Sequence, residues 1–363
     1  MGGGQGGVGA RPGKPPRHLA GQAGQPDPRG WRLLRPVRWL LRALRYIGRV
    51  LLVAWASLAI FYSNLPWAWM RFVLAVAFAA FGIWALWGKR RPLLRGTLFL
   101  ALFAAVVVWF ASIPPLQDRP WRADLVVLAH AEIDGDRVRL IDVRDFDYRT
   151  MEDFTERYVT REVSVSHLTS LDFFVSYWMQ GPIAHTFLSF NFDDAPPICF
   201  SIEMRREIGE GFAPIPSMFK QLELIYVVAE ERDVVRVRTN VRKEDVFLYR
   251  IRAPVDGVRR LFLAYLERIN ELHDRPEWYH LLSSNCTLNI VRYANVAGRQ
   301  GRWNIRHFLN GWVDRYLYEA GWLDTSLPFE ELRERSHINA VGQAADDDPD
   351  FSQRIRANLP GMH

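Results

Sequence analysis

The sequence predicts an α+β domain carried behind three membrane-spanning helices. Three observations point there. Apolar runs cover 47–62, 67–87 and 97–113; the second holds one charge, Arg71, and the third none. Beyond residue 120, period-2 alternation and helical spacing of apolar residues succeed one another without an internal repeat. The charge is also divided. Residues 1–117 hold 15 Lys/Arg and one acid, Asp27, whereas 118–363 hold 31 basic and 39 acidic side chains. The net charge of +6 therefore belongs to the membrane end, and the acidic remainder argues against nucleic-acid binding.

Residues 1–45 read as a disordered, basic, cytoplasmic leader. Gly, Pro, Gln and Arg dominate 1–30, which is too polar to bury a core. Arg32, Arg35, Arg38, Arg42, Arg45 and Arg49 then lead into the first run. Three transmembrane helices are assigned within 46–113, each close to the ~20 residues that a bilayer requires. The long basic leader and the later runs argue against a cleaved signal peptide. Lys89, Arg90, Arg91 and Arg95 crowd the second connection, while 63–66 is uncharged. The positive-inside rule therefore puts the N-terminus and that loop in the cytoplasm, and everything after Pro114 on the far side. Trp67, Trp69, Trp84, Trp87 and Trp109 suit interfacial anchors. The alternative is a two-span hairpin with the third run in a soluble core, which would leave the domain cytoplasmic.

Pro114, Pro115 and Pro120 mark a linker over 114–120, followed by a domain over 121–340 and a polar tail over 341–363. Strand-like segments 125–132 and 137–143 flank Asp134-Gly135-Asp136, a hairpin turn. Val258, Leu261, Phe262, Tyr265, Leu266, Ile269 and Leu272 predict an amphipathic helix over 257–273. Segments 222–229 and 246–251 read as strands. A further hairpin, 183–205, turns at Asp193-Asp194-Ala195-Pro196-Pro197. Its polar face carries His185 on one strand and Cys199, Ser201, Glu203 and Arg205 on the other. Pairing Phe192 with Ile198 would place His185 opposite Arg205 and gather His185, Glu203 and Arg205; a one-residue slip would separate them.

Only two cysteines are present. Cys286 opens a segment that reads as a helix, with Ser284 or Asn285 suited to the cap. Unpaired N–H groups at a helix start favour a thiolate and could hold an oxyanion. Thiol chemistry also requires a base and a group that orients it. His185 is the candidate base and Glu203 the candidate orienting group, with Ser201 and Asn285 competing for that part. Asn285, Ser201 and Arg205 are candidate supporting or oxyanion residues. The bland readings are a buried core cysteine and a Cys199–Cys286 disulfide. His130, His167, His273, His280, His307 and His337 compete for the base. Asp142, Arg144, Asp145 and Asp147 look metal-like but lack convergent histidines, so they read as structural, and no metal or organic cofactor is expected.

At these residues the chain resembles a bacterial family, the Lnb N-terminal periplasmic domain. The motifs are Val143-Arg144-Asp145-Phe146-Asp147-Tyr148-Arg149, Ala184-His185-Thr186-Phe187-Leu188-Ser189-Phe190 and Ser201-Ile202-Glu203-Met204-Arg205-Arg206-Glu207. They continue through Leu222-Glu223-Leu224-Ile225-Tyr226-Val227-Val228-Ala229, Arg238-Thr239-Asn240 and Ser284-Asn285-Cys286-Thr287. The resemblance implies a periplasmic thiol enzyme, a lipoprotein N-acyltransferase, with Cys286 and His185 as its reactive pair. The order of His before Cys is also similar to permuted papain-like (NlpC/P60) and lecithin:retinol acyltransferase-like folds. This chain departs from the family in placing three spans before the domain.

Three functions follow as expectations. The first is a multi-pass inner-membrane acyltransferase whose periplasmic domain acts on membrane lipids or lipoproteins through an acyl-thioester. The second uses the same residues as a cysteine peptidase or amidase of the cell envelope. The third is a non-enzymatic envelope protein with Cys286 buried or disulfide-linked.

Overall fold

The computed structural model describes residues 28–179, 181–211, 214–296, 298 and 304–362, with a few residues before 10. Helices α1 (Pro28–Phe61), α2 (Ala68–Trp87) and α3 (Pro92–Ser112) form an antiparallel bundle. Each contains a stretch long and apolar enough to cross a membrane, the first being Pro36–Phe61. Part of the expected disordered leader, including 10–27, lies outside the described residues. From Pro28 onward the expectation fails, because the Arg/Leu-rich stretch is already helix. Both residue types are good helix formers, and proline is tolerated in a first turn.

Ala56, Ala59, Ala75, Phe78 and Phe99 fill the bundle interior. Gly82 allows the tightest approach there, since a Cβ would come within 2.7 Å of Val53. Outward-facing Phe72, Leu98 and Val108 are exposed, as lipid-facing residues are. The third run therefore packs on the other two helices, and not inside the domain as the two-span alternative required.

The domain is an eight-stranded sheet covered on both faces. Its strands are β1 (His130–Asp134), β2 (Arg137–Arg144), β5 (Tyr158–Ser164), β6 (Leu168–Tyr177), β7 (His185–Phe192), β8 (Ile198–Arg205), β9 (Glu223–Glu230) and β10 (Asp245–Arg250). The order is β1-β2-β9-β8-β7-β6-β10, with β5 also paired to β2. A separate two-stranded piece joins β3 (Asp147–Tyr148) to β4 (Phe154–Thr155). The β1–β2 turn is where the sequence places it, with Gly135 at φ 59°, although β1 begins five residues later than expected. The hairpin of β7 and β8 is also present, but Phe190 pairs with Ile198, and Phe187 with Ser201. This register differs from the expected one by two residues. An even shift leaves every side chain on its expected face and changes only its neighbours.

Helix α5 (Val255–Asp274) lies on one face of the sheet. Phe190 and Phe200 pack there on Phe262 and Tyr265. Helix α6 (Cys286–Val296) packs beside it across β7 and β8. The other face, the more polar one of the hairpin, is also buried. Phe187 and Cys199 are fully covered there by α4 (Glu231–Arg236), α9 (Asn339–Ala344), α10 (Phe351–Arg354) and the residues that follow. Helices α7 (Val313–Glu319) and α8 (Phe329–Arg335) complete the chain near β10.

The segment expected as a polar tail over 341–363 is thus core. Phe351, Ile355 and Leu359 are buried, and Arg356 is bound to Asp172 at 2.8 Å and to Glu231. Wide spacing of the apolar residues among Asp and Arg hid this from the sequence. Phe351→Ala is expected to cost about 3–5 kcal/mol by emptying an aromatic site in that core. Urea unfolding of the detergent-solubilised protein measures it; an unchanged midpoint would mean that the segment is not part of the cooperative unit.

Candidate active site

Cys286 sits at the first position of α6. Asn285 caps this helix by accepting the Leu288 N–H on Oδ1 at 2.8 Å, and its Nδ2 donates to Leu281 O at 3.0 Å. Asn285 is thus the cap, at the helix start that carries the thiol. Thr287 Oγ1 meets Thr186 Oγ1 at 2.8 Å, which fastens α6 to β7 one residue away from both His185 and Cys286. Cys286 is buried, and both cysteines are free thiols. Cys199 lies on the opposite face, where burial pushes its thiol well above the ordinary value. The disulfide reading is therefore not what the structure contains.

His185, the first residue of β7, stands beside Ser201. Its Nε2 is 2.7 Å from Ser201 Oγ and 3.8 Å from Glu203 Oε1. Ser201 Oγ donates to Glu203 Oε1 at 2.8 Å. A hydroxyl has one proton and an ionised carboxylate only accepts, so Ser201 must accept from His185 Nε2–H. This assignment by the hydrogen-bond network leaves Nδ1 as the unprotonated nitrogen, free to act as a base. Ser201 is thus the direct partner of the imidazole, and Glu203 acts through it.

Glu203 is kept ionised. Burial opposes this, but Arg238, with Nη2 at 2.9 Å, and then His185 hold the carboxyl well below the usual carboxylate range. Arg238 donates its other amino group to Glu244 at 3.0 Å, and Ser176 Oγ donates to Glu244 at 2.5 Å. The Arg238 guanidinium also lies 5.3 Å over the Phe187 ring.

The thiol feels this arrangement. Burial raises its pKa, but hydrogen bonding and charge from His185, then hydrogen bonding from Thr186, bring it down to about 6. Sγ is also 3.6 Å from Asn310 Nδ2, a residue that sequence reasoning missed. Asn310 binds both main-chain groups of Ala184, accepting from its N–H at 2.9 Å and donating to its carbonyl at 2.6 Å, and so fixes the entry to His185. The next residue must be glycine for this to happen. A Cβ on Gly311 would lie 2.4 Å from Gly181 O and 2.7 Å from Pro182 C. No local pattern marks Asn310, which sits in a 3₁₀ turn distant from both motifs. Arg238 was visible inside a motif, but not its role.

Arg205 does not join the site. It faces the linker, donating to Gln117 Oε1, Leu125 O and Val126 O at 2.6, 2.9 and 2.6 Å, with its guanidinium 4.5 Å over Trp121. The two-residue register difference explains this, because it puts Glu203 where Arg205 was expected. The competing histidines are engaged elsewhere: His167 with Asp193, His130 against His273 and His337 with Asp245. Arg144 is structural as expected, clamping Asp233 at 2.7 and 2.8 Å. Cys286, His185 and Glu203 open into a cleft of about 270 Å³ whose walls include Trp178, Met204, Arg206 and Tyr279.

These contacts set a pH dependence. Iodoacetamide alkylation of Cys286 should rise with pH around a midpoint near 6, because only the thiolate reacts. His185→Ala should move the midpoint up, towards that of a buried thiol without a cationic neighbour. Ser201→Ala should give a smaller upward move, by freeing the imidazole to rotate. Mass-spectrometric labelling rates across pH read all three, and a midpoint of the wild type near 9 would contradict the geometry.

A search of curated proteins returns no match, and neither does a search of the solved structures. The family scan does give one. The matched span runs from β4 to the turn after Asn310 and contains His185, Ser201, Glu203, Arg238 and Cys286. With three helices able to cross a membrane, it fits a membrane-anchored protein that carries a periplasmic domain. Residues 154–311 match the Lnb N-terminal periplasmic domain, the family that the sequence motifs resemble.

Proposed function

We propose that the protein is a multi-pass inner-membrane acyltransferase with a permuted papain-like periplasmic domain. The observation that carries this reading is the linked series Cys286, His185, Ser201, Glu203, Arg238, in which each group orients or activates the one before it. His185 Nδ1 takes the thiol proton, and the thiolate attacks the carbonyl carbon of a lipid ester. As the C–S bond forms and the C–O bond breaks, the leaving alcohol receives the proton from His185. An amine, such as the α-amino group of a lipoprotein cysteine, then attacks the thioester. His185 accepts its proton, the C–N bond forms, and Cys286 is released as thiolate. Asn310 Nδ2, which lies 3.6 Å from Sγ, and the N–H groups at the start of α6 would receive the developing oxyanion.

An apolar cavity of about 180 Å³ lies between the sheet, α5, α6 and α7. Thr287, the residue after the thiol, is part of its wall, with Leu188, Leu261, Ile290 and Val313. Such a mostly apolar space suits a hydrocarbon chain better than a peptide. The polar side of the cleft, with Arg206, Arg238 and Glu244, favours the second reading, a cysteine peptidase or amidase.

Intact mass after incubation with mixed bacterial phospholipids separates them. The wild type should gain a fatty-acyl mass that hydroxylamine removes, and Cys286→Ala should gain none. His185→Ala should slow acylation by about 10²–10⁴-fold. Absence of an adduct on a Cys286 that alkylates normally would favour amide hydrolysis. If the cavity holds the chain, Ala294→Phe should shift the adducts to shorter acyl groups while leaving the alkylation midpoint of Cys286 unchanged; an unaltered chain distribution would place the chain elsewhere.

A further inference from the structure

Antiparallel pairing decides which loops share an end of the sheet. β6 ends at Tyr177, β7 starts at His185, β8 ends at Arg205 and β9 starts at Glu223. The described residues of the 178–184 and 206–222 connections therefore lie together. The 275–285 connection joins them through a bridge between Glu223 and Trp278. His185 and Cys286 begin their elements at this same end.

The helix bundle meets the domain here too. Lys220 Nζ donates to the carbonyls of Phe110, Ala111 and Ile113 at 2.8, 2.9 and 3.0 Å, closing the C-terminus of α3. Gln221 Nε2 donates to Tyr62 O at 2.7 Å just past the end of α1, and Trp278 Nε1 to Ile113 O at 3.2 Å. Phe219 stacks on Tyr62 with ring centroids 5.7 Å apart. Trp67 and Trp69, stacked on each other at the start of α2, mark the same level. Interfacial tryptophans and helix ends define one bilayer face, so these loops abut it.

Large apolar side chains crowd this end without cover. Ile208 is 73% exposed, Met179 64%, Ile215 and Leu282 50% each, and Ile183 45%. They come from all three connections. The other end of β7 and β8 instead presents Asp193 and Asp194, both exposed, beside His167. An apolar cluster at one end and acids at the other is a reason to assign an apolar neighbour to the first. The walls of the Cys286 cleft include Trp178, Ile183 and Leu281 from these loops, so the cleft opens among them.

We infer that this end of the domain rests on the bilayer. Met179, Ile208 and Leu282 enter the headgroup region, and the Cys286 cleft opens onto lipid held in the membrane. A diacyl lipid then reaches the thiol without crossing water, and the hydrogen bonds of Lys220, Gln221 and Trp278 set the height of the cleft. The inference rests on the reading that α1–α3 cross the bilayer; it does not depend on the thioester chemistry.

Depth-dependent quenching tests it on the full chain. Single cysteines replace Met179, Ile208, Leu282, Asp194 or Val108 in a Cys286→Ala background, where Cys199 is buried. Each carries an environment-sensitive fluorophore and is reconstituted in phosphatidylethanolamine/phosphatidylglycerol nanodiscs with nitroxide-bearing acyl chains. The expected result is quenching at Met179, Ile208 and Leu282, strong quenching at the outward-facing Val108 of α3, and none at Asp194. Quenching at Val108 with none at the three loop sites would overturn the docking while leaving the spans in place. No quenching at Val108 would overturn the membrane reading and the docking with it, and quenching at Asp194 equal to that of the loops would refute a one-ended contact. Three independent loop positions, all exposed, keep the test valid if one variant fails to fold.

Discussion

One hydrogen bond orders the rest of the site: His185 Nε2 to Ser201 Oγ. It is informative because Ser201 has already given its proton to Glu203, and Glu203 is held as an anion by Arg238. That sequence of donors assigns the imidazole tautomer and leaves Nδ1 as the unprotonated nitrogen. A serine between histidine and carboxylate separates the charge from the base by one neutral group. The carboxylate can then remain fully engaged with arginine without withdrawing its influence from the ring.

The arrangement needs a dry face of the sheet, and burying charge there is costly. The chain meets this cost in pairs. Arg238 serves Glu203 and Glu244, Arg144 clamps Asp233, and Arg356 closes on Asp172 and Glu231. In each group the guanidinium donates to more than one acceptor, although Nε of Arg238 is buried without a partner among the described residues. The C-terminal segment supplies Arg356 and also Phe351, Ile355 and Leu359, which seal the face that carries Phe187 and Cys199. On the opposite face, α5 and α6 bury Phe190 and Phe200 and hold the thiol against the edge of β7. Cys286 and His185 thus sit where the two faces meet, at the start of one helix and one strand.

The membrane helices are tied to that same edge. Lys220 and Trp278 both bind the main chain at the end of α3, and Trp278 is followed directly by Tyr279, a wall of the Cys286 cleft. Domain and anchor are therefore coupled through residues adjacent to the Cys286 cleft, and the 114–120 linker is not the sole connection between them.

Much of this was legible in the chain. Hydropathy over windows near 20 residues marked the three spans, because lipid imposes a long and local constraint. Period-2 alternation marked the β7–β8 hairpin and its faces, and helical spacing marked α5, since these patterns are also local. The motifs around His185, Ser201, Glu203 and Cys286 identified the residues that the fold brings together. What the tertiary structure alone decided is which neighbour each of them meets. The register differed by two residues, a shift that alternation cannot detect because it preserves the faces; it put Glu203 and not Arg205 near His185. Asn310 and Arg356 depend on close approaches between segments more than 100 residues apart, from Ala184 and Asp172 respectively. Periodicity carries no information at that range, so only the packed structure supplies those contacts.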